Sequence, residues 1–509
     1  MRAIITYQPS LRPALPTVYG PHDYREYRRM FEHIDELLSS SGLVERFIEL
    51  SVQEAYERSG SVNPALLEHS ERALRCMIAQ MISGDSYRKF TQRLADSQVL
   101  QWFCRVGDVE QVTVPAKSTL QRYFKQVSHE SLNTLIYDFL RACNVAVDET
   151  KEHPLGLEES LDFDAVYVDA TCLKANIHFP VDWVLLVDAV RTLMKATLII
   201  REHGLKHRMR RPEAFISEMN ALDIKMSCSY RQVGSKKERK KTLRLMKKLV
   251  NKVASHARKH RDLLETHQDE MEMPAGKIEQ ILVRIDNVLE QLPAAKRQAH
   301  ERIIGGRQIN NQEKLLSLYE SDVNVIVRKK AGHKVEFGNL LTLAEQKDGL
   351  LVGWHLHQEL TSDQNFIPTL LDTVHEGLGH KIKRLFTDRG YNSPTNTDYL
   401  QEQTIYNGIC PQDPEQLTAR KHSSVFIHGQ KRRAATEGRI SIFKNVFTSN
   451  PMHAKGFENR RQRVSWAVLT HNLWLIARKL RTVKAAACLE REESMMVAVV
   501  YFIMVIRKG

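Results

Sequence analysis

The sequence has few cysteines, and none of them is spaced to form a zinc site or a disulfide framework. Seven cysteines are scattered singly along 509 residues, and no Cys-x-x-Cys pair occurs. An odd and unpatterned set of this kind argues against both structural disulfides and zinc binding. We therefore expect a protein of the reducing cytoplasm.

Apolar runs long enough to cross a membrane are missing as well. The run "MMVAVVYFIMVI" at residues 495–506 is too short, because a membrane-spanning helix takes about 20 residues. The opening residues "MRAIITYQPSLRPALP" contain no apolar segment of the signal-peptide type. We expect no membrane partner, and we interpret residues 495–506 as a buried or pairing strand or as an atypical tail.

Several enzyme motifs are absent, and acidic residues are too few to balance the basic ones. No GxxxxGK[ST], HExxH or GxSxG occurs, so phosphate-loop NTPases, zinc proteases and hydrolases with a nucleophile elbow lack their motifs. Lysine and arginine number 74 against 61 acidic residues, which gives a formal charge of +13. A surplus of this size favours a polyanionic partner, with nucleic acid as the first candidate.

The first third of the chain has a helical pattern. Its last helix follows Pro115, with Ser118 as the predicted N-cap, and carries Gln121, Arg122 and Lys125. Short helices, a polar turn and a final basic helix are typical of a helix-turn-helix-like DNA reader, to which Arg122 and Lys125 would contribute. A helical dimerisation bundle fits the pattern equally well.

A long basic segment interrupts the later part of the chain. Residues 205–318 are predicted to be helical, with a seam formed by Ile278, Ile281, Ile285, Val288 and Leu292. Spacings of three and four residues are typical of one arm of a helical hairpin. The lysines of this segment either contact phosphates or form a solvated face.

Acidic residues follow two strand patterns. "AVYV" precedes Asp169 and "RLFT" precedes Asp388, and further strands are predicted at 323–329, 333–358 and 405–410, with a hairpin turn at Asp348 and Gly349. Each aspartate alone would most often cap a loop. We expect His355 and His357 to lie on opposite faces of a strand, which argues against a shared metal.

A third acid lies on a later helix. Arg433, Glu437 and Lys444 fall within about 40° of one another around a helix axis, beside an apolar stripe that includes Phe443. An isolated Arg433–Glu437 ion pair would contribute only a few tenths of a kcal/mol, roughly. Three acids in a basic protein instead predict a site for Mg²⁺, whose preferred ligands are carboxylate oxygens, and two such ions would clamp a phosphodiester.

Four segments resemble the DDE transposases of bacterial insertion sequences. They are "YVDATCLKANIHFPVDWVLLVDAVRTL", "VEFG", "FTDRGY" and "RAATEGRISIFK", and the resemblance covers roughly residues 70–480. It implies an RNase H-like core in which Asp169, Asp388 and Glu437 bind two catalytic Mg²⁺ ions, for which Mn²⁺ can substitute. It also implies that Arg433 and Lys444 hold DNA phosphates. Gln430 stands where the family has tyrosine.

The sequence therefore predicts an α/β protein with an RNase H-like mixed sheet flanked by helices, a long helical insertion and an N-terminal all-helical region. The expected divisions are a leader (1–65), a DNA-binding or dimerisation region (66–155), the catalytic domain (156–204 and 319–480), the insertion (205–318) and a tail (481–509). Arg389 and Arg439, beside the acids, complete the predicted DNA contacts.

The resemblance implies a transposase that cuts and joins double-stranded DNA, namely the terminal inverted repeats of an element and its target, as a homodimer on DNA. Two alternatives remain open. One is an inactive relative that binds DNA as a regulator, and the other is a stand-alone nuclease that cuts without joining.

Overall fold

The computed structural model describes residues 15, 17–107, 111–147, 153–230, 235–270, 272–330, 333–360 and 362–480. The predicted tail at 481–509, with its apolar run at 495–506, lies outside these residues. None of the described helices is long and apolar enough to cross a membrane.

Seven helices form the N-terminal region. They are α1 His22–Ser40, α2 Leu43–Ser59, α3 Pro64–Ser83, α4 Tyr87–Asp96, α5 Gln98–Cys104, α6 Lys117–Phe124 and α7 His129–Cys143. The predicted all-helical region is confirmed. The prediction that Ser118 caps α6 is wrong, because the chain is already helical at Lys117 and Ala116 occupies the cap position without a side-chain hydrogen bond.

A mixed sheet of six strands follows. Its strands are β1 Ala165–Lys174, β2 Asn324–Lys330, β3 His333–Gln346, β4 Leu351–Leu356, β5 Arg384–Thr387 and β6 Tyr406–Ile409. The order is β2-β3-β1-β5-β6, and β4 also pairs with β3. β1 is antiparallel to β3 and parallel to β5, which is parallel to β6. This arrangement agrees with the predicted RNase H-like fold, and the hairpin at Asp348–Gly349 joins β3 to β4 as predicted.

β1 is longer than the sequence pattern indicated. It continues past Asp169 to Lys174, because β3 pairs with it as far as the Lys174–Gly338 pair. Gly338 permits this close approach, since a Cβ there would collide with the Leu173 carbonyl. Asp169 therefore lies in the middle of β1, and the prediction that it ends the strand is wrong.

Four helices between β1 and β2 form a separate bundle. They are α8 Asp182–Glu202, α9 Pro212–Tyr230, α10 Lys236–Thr266 and α11 Ala275–Ala299. They share one apolar core, which includes the predicted seam from Ile278 to Leu292 and also the buried face of α8 from Leu185 to Ile200. By its packing α8 thus goes with the bundle, although the predicted boundary at residue 205 assigned it to the catalytic domain.

The remaining helices cover the sheet. They are α12 Ile367–Leu378, α13 Pro394–Glu402, α14 Pro414–Arg420, α15 Ser424–Ala434, α16 Thr436–Ile442 and a last helix, α17, at 457–480. The segment from 432 to 447, predicted as one helix, is divided: α15 ends at Ala434, α16 follows after Ala435, and a π-helical turn spans Phe443–Thr448. α17 and the N-terminal helices share a core with the sheet, with Trp466 fully buried among them.

Candidate active site

Two aspartates lie at the edge where β1 and β5 run side by side. The last paired residues of these parallel strands are Tyr167 and Phe386, and Asp169 and Asp388 each follow two residues later. The Asp388 carboxylate accepts a hydrogen bond from the Gly390 N–H at 2.9 Å and caps a short 3₁₀ turn. The parallel pairing thus brings together two residues that are far apart in the sequence.

Glu437 completes an acidic group around Asp169. It lies in the first turn of α16. The pKa of Asp169 is raised from 3.8 to about 6, mainly by burial and further by the negative charges of Asp388 and Glu437, while the Ala170 N–H and Arg433 oppose the rise. Like charges influence one another in this way only at short range, so Asp388 and Glu437 both lie near Asp169.

Two cations lie beside the acids. The Arg433 guanidinium is 4.0 Å from the Asp169 carboxylate, and its Nε donates to the Gln430 side-chain oxygen at 3.2 Å. The Lys444 ammonium donates to the Thr171 hydroxyl at 3.2 Å. Since residues i and i+2 of a strand face the same side, Asp169 and Thr171 present one surface of β1 to these cations.

Gln430 anchors α15 to the end of the sheet. Its amide donates to the Thr387 carbonyl at 2.9 Å and to the Gly408 carbonyl at 2.7 Å. These carbonyls belong to β5 and β6, and Thr387 immediately precedes Asp388. The amide therefore joins three elements of the site at the position where the resembling family has tyrosine.

Glu345 contacts the junction of α15 and α16 next to Glu437, and the sequence analysis did not identify it. Its side chain is almost fully buried on β3 and accepts hydrogen bonds from Arg432 at 2.6 Å and from the Thr436 hydroxyl at 2.7 Å. Thr436 immediately precedes Glu437, and Arg432 lies over the Tyr167 ring. The sequence did contain a signal for Glu345, namely an acidic residue within the apolar strand "LLTLAEQ". A buried acid needs a cationic or hydrogen-bonding partner.

The other predicted DNA contacts have different surroundings. Arg439 is directed inward, 3.7 Å from the Glu345 carboxylate and against Gly349, and this position does not favour a phosphate contact. Two residues along a helix point to nearly opposite sides, so Arg439 and Glu437 diverge. Arg389 is exposed directly after Asp388, and Arg122 and Lys125 are exposed in the N-terminal region.

His355 and His357 lie on the same face, so the prediction that they face opposite sides is wrong. Their ring centroids are 4.6 Å apart and both rings contact Phe366, as the two-residue period of a strand requires. His357 is buried beside the Thr342 hydroxyl, and burial lowers its pKa to about 4. The pair packs against a phenylalanine.

The acids have the chemistry of a magnesium site. Within the part of the chain that the structure describes, no group of three or more His, Cys, Asp and Glu side chains is already arranged to hold a metal ion. The donor set nevertheless suits Mg²⁺, which takes carboxylate oxygens, and Asp169 is a partly buried carboxylate whose charge two neighbouring acids disfavour. A divalent cation would relieve that repulsion.

The fold and the site define an RNase H-like protein with acids at the edge of its central strands. Residues 326–473 match the family model described as "Transposase DDE domain". This segment of the chain is thus similar to a transposase DDE domain, and the matched range includes Asp388 and Glu437. No curated protein and no solved structure matches the chain.

Proposed function

We propose that the protein is a DNA transposase that cleaves DNA at the ends of an insertion sequence and joins the freed ends to target DNA. The observation that carries this proposal is the approach of Asp388 and Glu437 to the partly buried Asp169, with Arg433 and Lys444 beside it. Carboxylates next to cations suit a phosphodiester, which needs divalent metal ions on its oxygens and positive charge around it.

Asp169, Asp388 and Glu437 would hold the metal ions. Two bound Mg²⁺ ions supply Lewis-acid stabilisation of the phosphate oxygens and lower the pKa of the attacking water. Hydrogen bonds fix two of the acids: Asp169 accepts from the Ala170 N–H at 2.8 Å, and Asp388 from the Gly390 N–H. Fixed carboxylates give the site its geometry before the substrate binds.

Arg433 and Lys444 would hold the substrate. Their positive charges lie along the surface of β1 next to Asp169, where a phosphate that approaches the acids has to pass. In the first reaction water attacks the phosphorus, the bond to the 3′-oxygen breaks, and that oxygen takes up a proton. In the second, the freed 3′-hydroxyl attacks a phosphorus of target DNA and displaces another 3′-oxygen, so the number of phosphodiester bonds is unchanged.

The natural substrate would be double-stranded DNA that ends in the inverted repeats of the element, bound by a homodimer in the cytoplasm. The test uses the DNA that flanks this gene, searched for inverted repeats and supplied as labelled duplexes with target plasmid and Mg²⁺ or EDTA. We expect cleaved and joined DNA products in the presence of Mg²⁺ and neither product in EDTA. Cleavage without joining would instead support a stand-alone nuclease, and binding without cleavage would support a regulator.

A further inference from the structure

A wide cleft lies between the N-terminal helices and the segment 449–463. Its volume is about 1990 Å³, and it is lined by the first turns of α3 and α4, by α6 and by residues that precede and open α17. The cleft is separate from the acidic group, since none of the three acids lines it. The acidic group therefore does not account for the cleft.

The walls of the cleft are strongly basic. They contain a single acidic residue, Asp85, which is already paired with Arg93 at 3.0 Å. The basic residues are Arg58, Arg72, Arg88, Lys117, Arg122, Lys125, Lys455 and Arg463. Such an excess of one sign attracts a polyanion, because the low-dielectric walls of a cleft concentrate its field.

Most of these cations form no ion pair with an acidic side chain in the part of the chain that the structure describes. In the described residues, five exposed ones form no ion pair with a carboxylate: Arg88, Lys117, Arg122, Lys125 and Lys455. They come from both walls, because the first four lie on or near α4 and α6 and Lys455 lies on the opposite segment. An extended anion bound between the two walls could contact the cations on both of them.

Arg463 is a buried cation at the base of the cleft. Its guanidinium donates to the Gln80 side-chain oxygen at 2.7 Å and to the Phe447 carbonyl at 3.3 Å, and both of these acceptors are uncharged. Burial lowers its pKa to about 10. Within the described residues it has no carboxylate within ion-pair distance, so a bound anion would offset the cost of burying its charge.

The cleft continues from the acidic site. Phe447, whose carbonyl Arg463 contacts, lies three residues beyond Lys444, and Ser449 already lines the cleft. Lys444 and Ser449 are five residues apart, and the π-helical turn Phe443–Thr448 joins them. The cleft is therefore connected to the acidic site through a short segment of the chain.

We propose that this cleft binds the backbone of the DNA duplex whose cleaved phosphate lies at Asp169, Asp388 and Glu437. The inference rests on the proposed function, and it assigns the N-terminal helical region to DNA binding rather than to dimerisation. The segment 443–463 connects the two sites, so that the cleft holds the duplex while the acids act on one of its phosphates.

The test compares two charge-neutralising double variants for DNA affinity. The cleft variant Arg122→Gln/Lys455→Gln removes one cation from each wall, and the control Arg25→Gln/Arg29→Gln removes two exposed cations from α1, outside the cleft. Both are made with Asp388→Asn, which prevents cleavage, and binding of a fluorescent duplex of random sequence is measured across salt concentrations. Sedimentation velocity without DNA reports the oligomeric state.

We expect the cleft variant to reduce the salt slope of log K by about 0.9 for each phosphate contact and to weaken binding by about tenfold or more near 0.1 M salt. The control should differ little from the parent. Equal slopes for both variants would overturn the proposal, and a change of sedimentation coefficient in the cleft variant with an unchanged slope would identify the cleft as a contact between copies.

The outcome is independent of whether the protein cleaves DNA. If the wild type does not cut the flanking DNA but the cleft variant loses affinity, the proposed catalytic function fails and the cleft remains a DNA site. If the wild type cuts and joins DNA while the cleft variant binds like the control, the catalytic function stands and the cleft proposal fails.

Discussion

Asp169 links pH, metal binding and stability, because burial and two acidic neighbours raise its pKa from 3.8 to about 6. The folded protein thus binds this proton more tightly than the unfolded chain. The stability that protonation of Asp169 gives to the folded state is fully present below about pH 4 and is lost as pH rises through about 6. A shift of this size corresponds to about 3 kcal/mol.

We expect Asp169→Asn to be more stable than the wild type in EDTA near neutral pH, by up to about 3 kcal/mol, and to gain nothing from Mg²⁺. The wild type should be stabilised by Mg²⁺, because the cation offsets the repulsion among the acids. Urea unfolding at about pH 5 and about pH 7.5, with EDTA or Mg²⁺, measures both effects. The exposed Asp398→Asn is the control. If Mg²⁺ does not change the free energy of unfolding of the wild type, metal binding at Asp169 is contradicted.

Cleavage should be more sensitive to the replacement of Arg433 by lysine than to the replacement of Lys444 by arginine. The planar Arg433 guanidinium lies 4.0 Å from the Asp169 carboxylate and also donates to the Gln430 side-chain oxygen, an arrangement that a lysine ammonium cannot reproduce. The Lys444 ammonium donates to the Thr171 hydroxyl, a contact that an arginine can also make. We expect Arg433→Lys to lower kcat/KM for cleavage by at least about tenfold, or about 1.4 kcal/mol, and Lys444→Arg to be tolerated.

The corresponding alanine variants of Arg433 and Lys444 should weaken DNA positioning and slow the reaction while Mg²⁺ affinity is preserved. Cleavage kinetics across DNA concentrations and Mg²⁺ titrations separate these effects. Equal tolerance of Arg433→Lys and Lys444→Arg would contradict the assignment of a two-sided contact to Arg433.

We expect Glu345 to act as a positioning residue for Glu437, because it accepts hydrogen bonds from Arg432 and Thr436 at the junction of α15 and α16. Glu345→Gln keeps the shape but removes the charge, so we expect a loss of about 1–3 kcal/mol in stability and about tenfold weaker Mg²⁺ binding. Glu336→Gln, on the same strand and paired with Lys174, is the control. If both variants lose stability and neither loses Mg²⁺ affinity, Glu345 is merely structural.

At the scale of elements, the sequence predicted the sheet strands, the helical bundle and the two aspartates that follow apolar strand patterns. These features follow from local periodicity. The end of β1 was misplaced, because β3 extends the pairing beyond Asp169, and strand pairing over a long sequence distance leaves no local signal. The inward position of Arg439 likewise depends on Glu345, a partner on a distant strand.

The helix α10 carries a cationic stripe that allows the bundle to be tested without deleting it. Removal of 205–318 would expose the buried face of α8, so substitution of exposed residues is the better experiment. Lys241, Arg244 and Lys248 are exposed and lie at spacings of three and four residues, which places them on one face. If this stripe contacts DNA, the triple glutamine variant should lose about 0.9 of salt slope per phosphate contact.

The same measurement distinguishes the two readings of the basic segment. An unchanged slope and affinity for Lys241→Gln/Arg244→Gln/Lys248→Gln would mean that the stripe is only a solvated face. Because these side chains are outside the bundle core, unfolding in urea should be unchanged within about 0.5 kcal/mol, and circular dichroism checks that the helices remain.

At the scale of the whole molecule, the acids and the basic cleft occupy different places. The acids lie where β1 and β5 end their pairing, whereas the basic cleft lies between the N-terminal helices and residues 449–463. One apolar core joins the N-terminal helices, the sheet and α17, so the two places are parts of a single body. The bundle α8–α11 has a core of its own. The formal charge of +13 for the whole chain favours a polyanionic partner such as DNA.

Because the two places are separate, a substitution at the acids should impair catalysis without impairing DNA binding. Asp388→Asn removes one carboxylate charge from the acidic group but leaves the hydrogen bond to Gly390 possible and touches no cation of the cleft. We expect cleavage and strand transfer to fall by at least about a thousandfold, the order of loss seen when catalytic groups are removed, while the affinity and salt slope for duplex DNA stay within about twofold of the wild type. Gel assays of cleavage and joining, and fluorescence anisotropy for binding, give the two numbers on one preparation. A loss of DNA affinity as large as the loss of cleavage would mean that the acids organise DNA binding as well as the reaction, and the division of labour between sheet edge and cleft would be wrong.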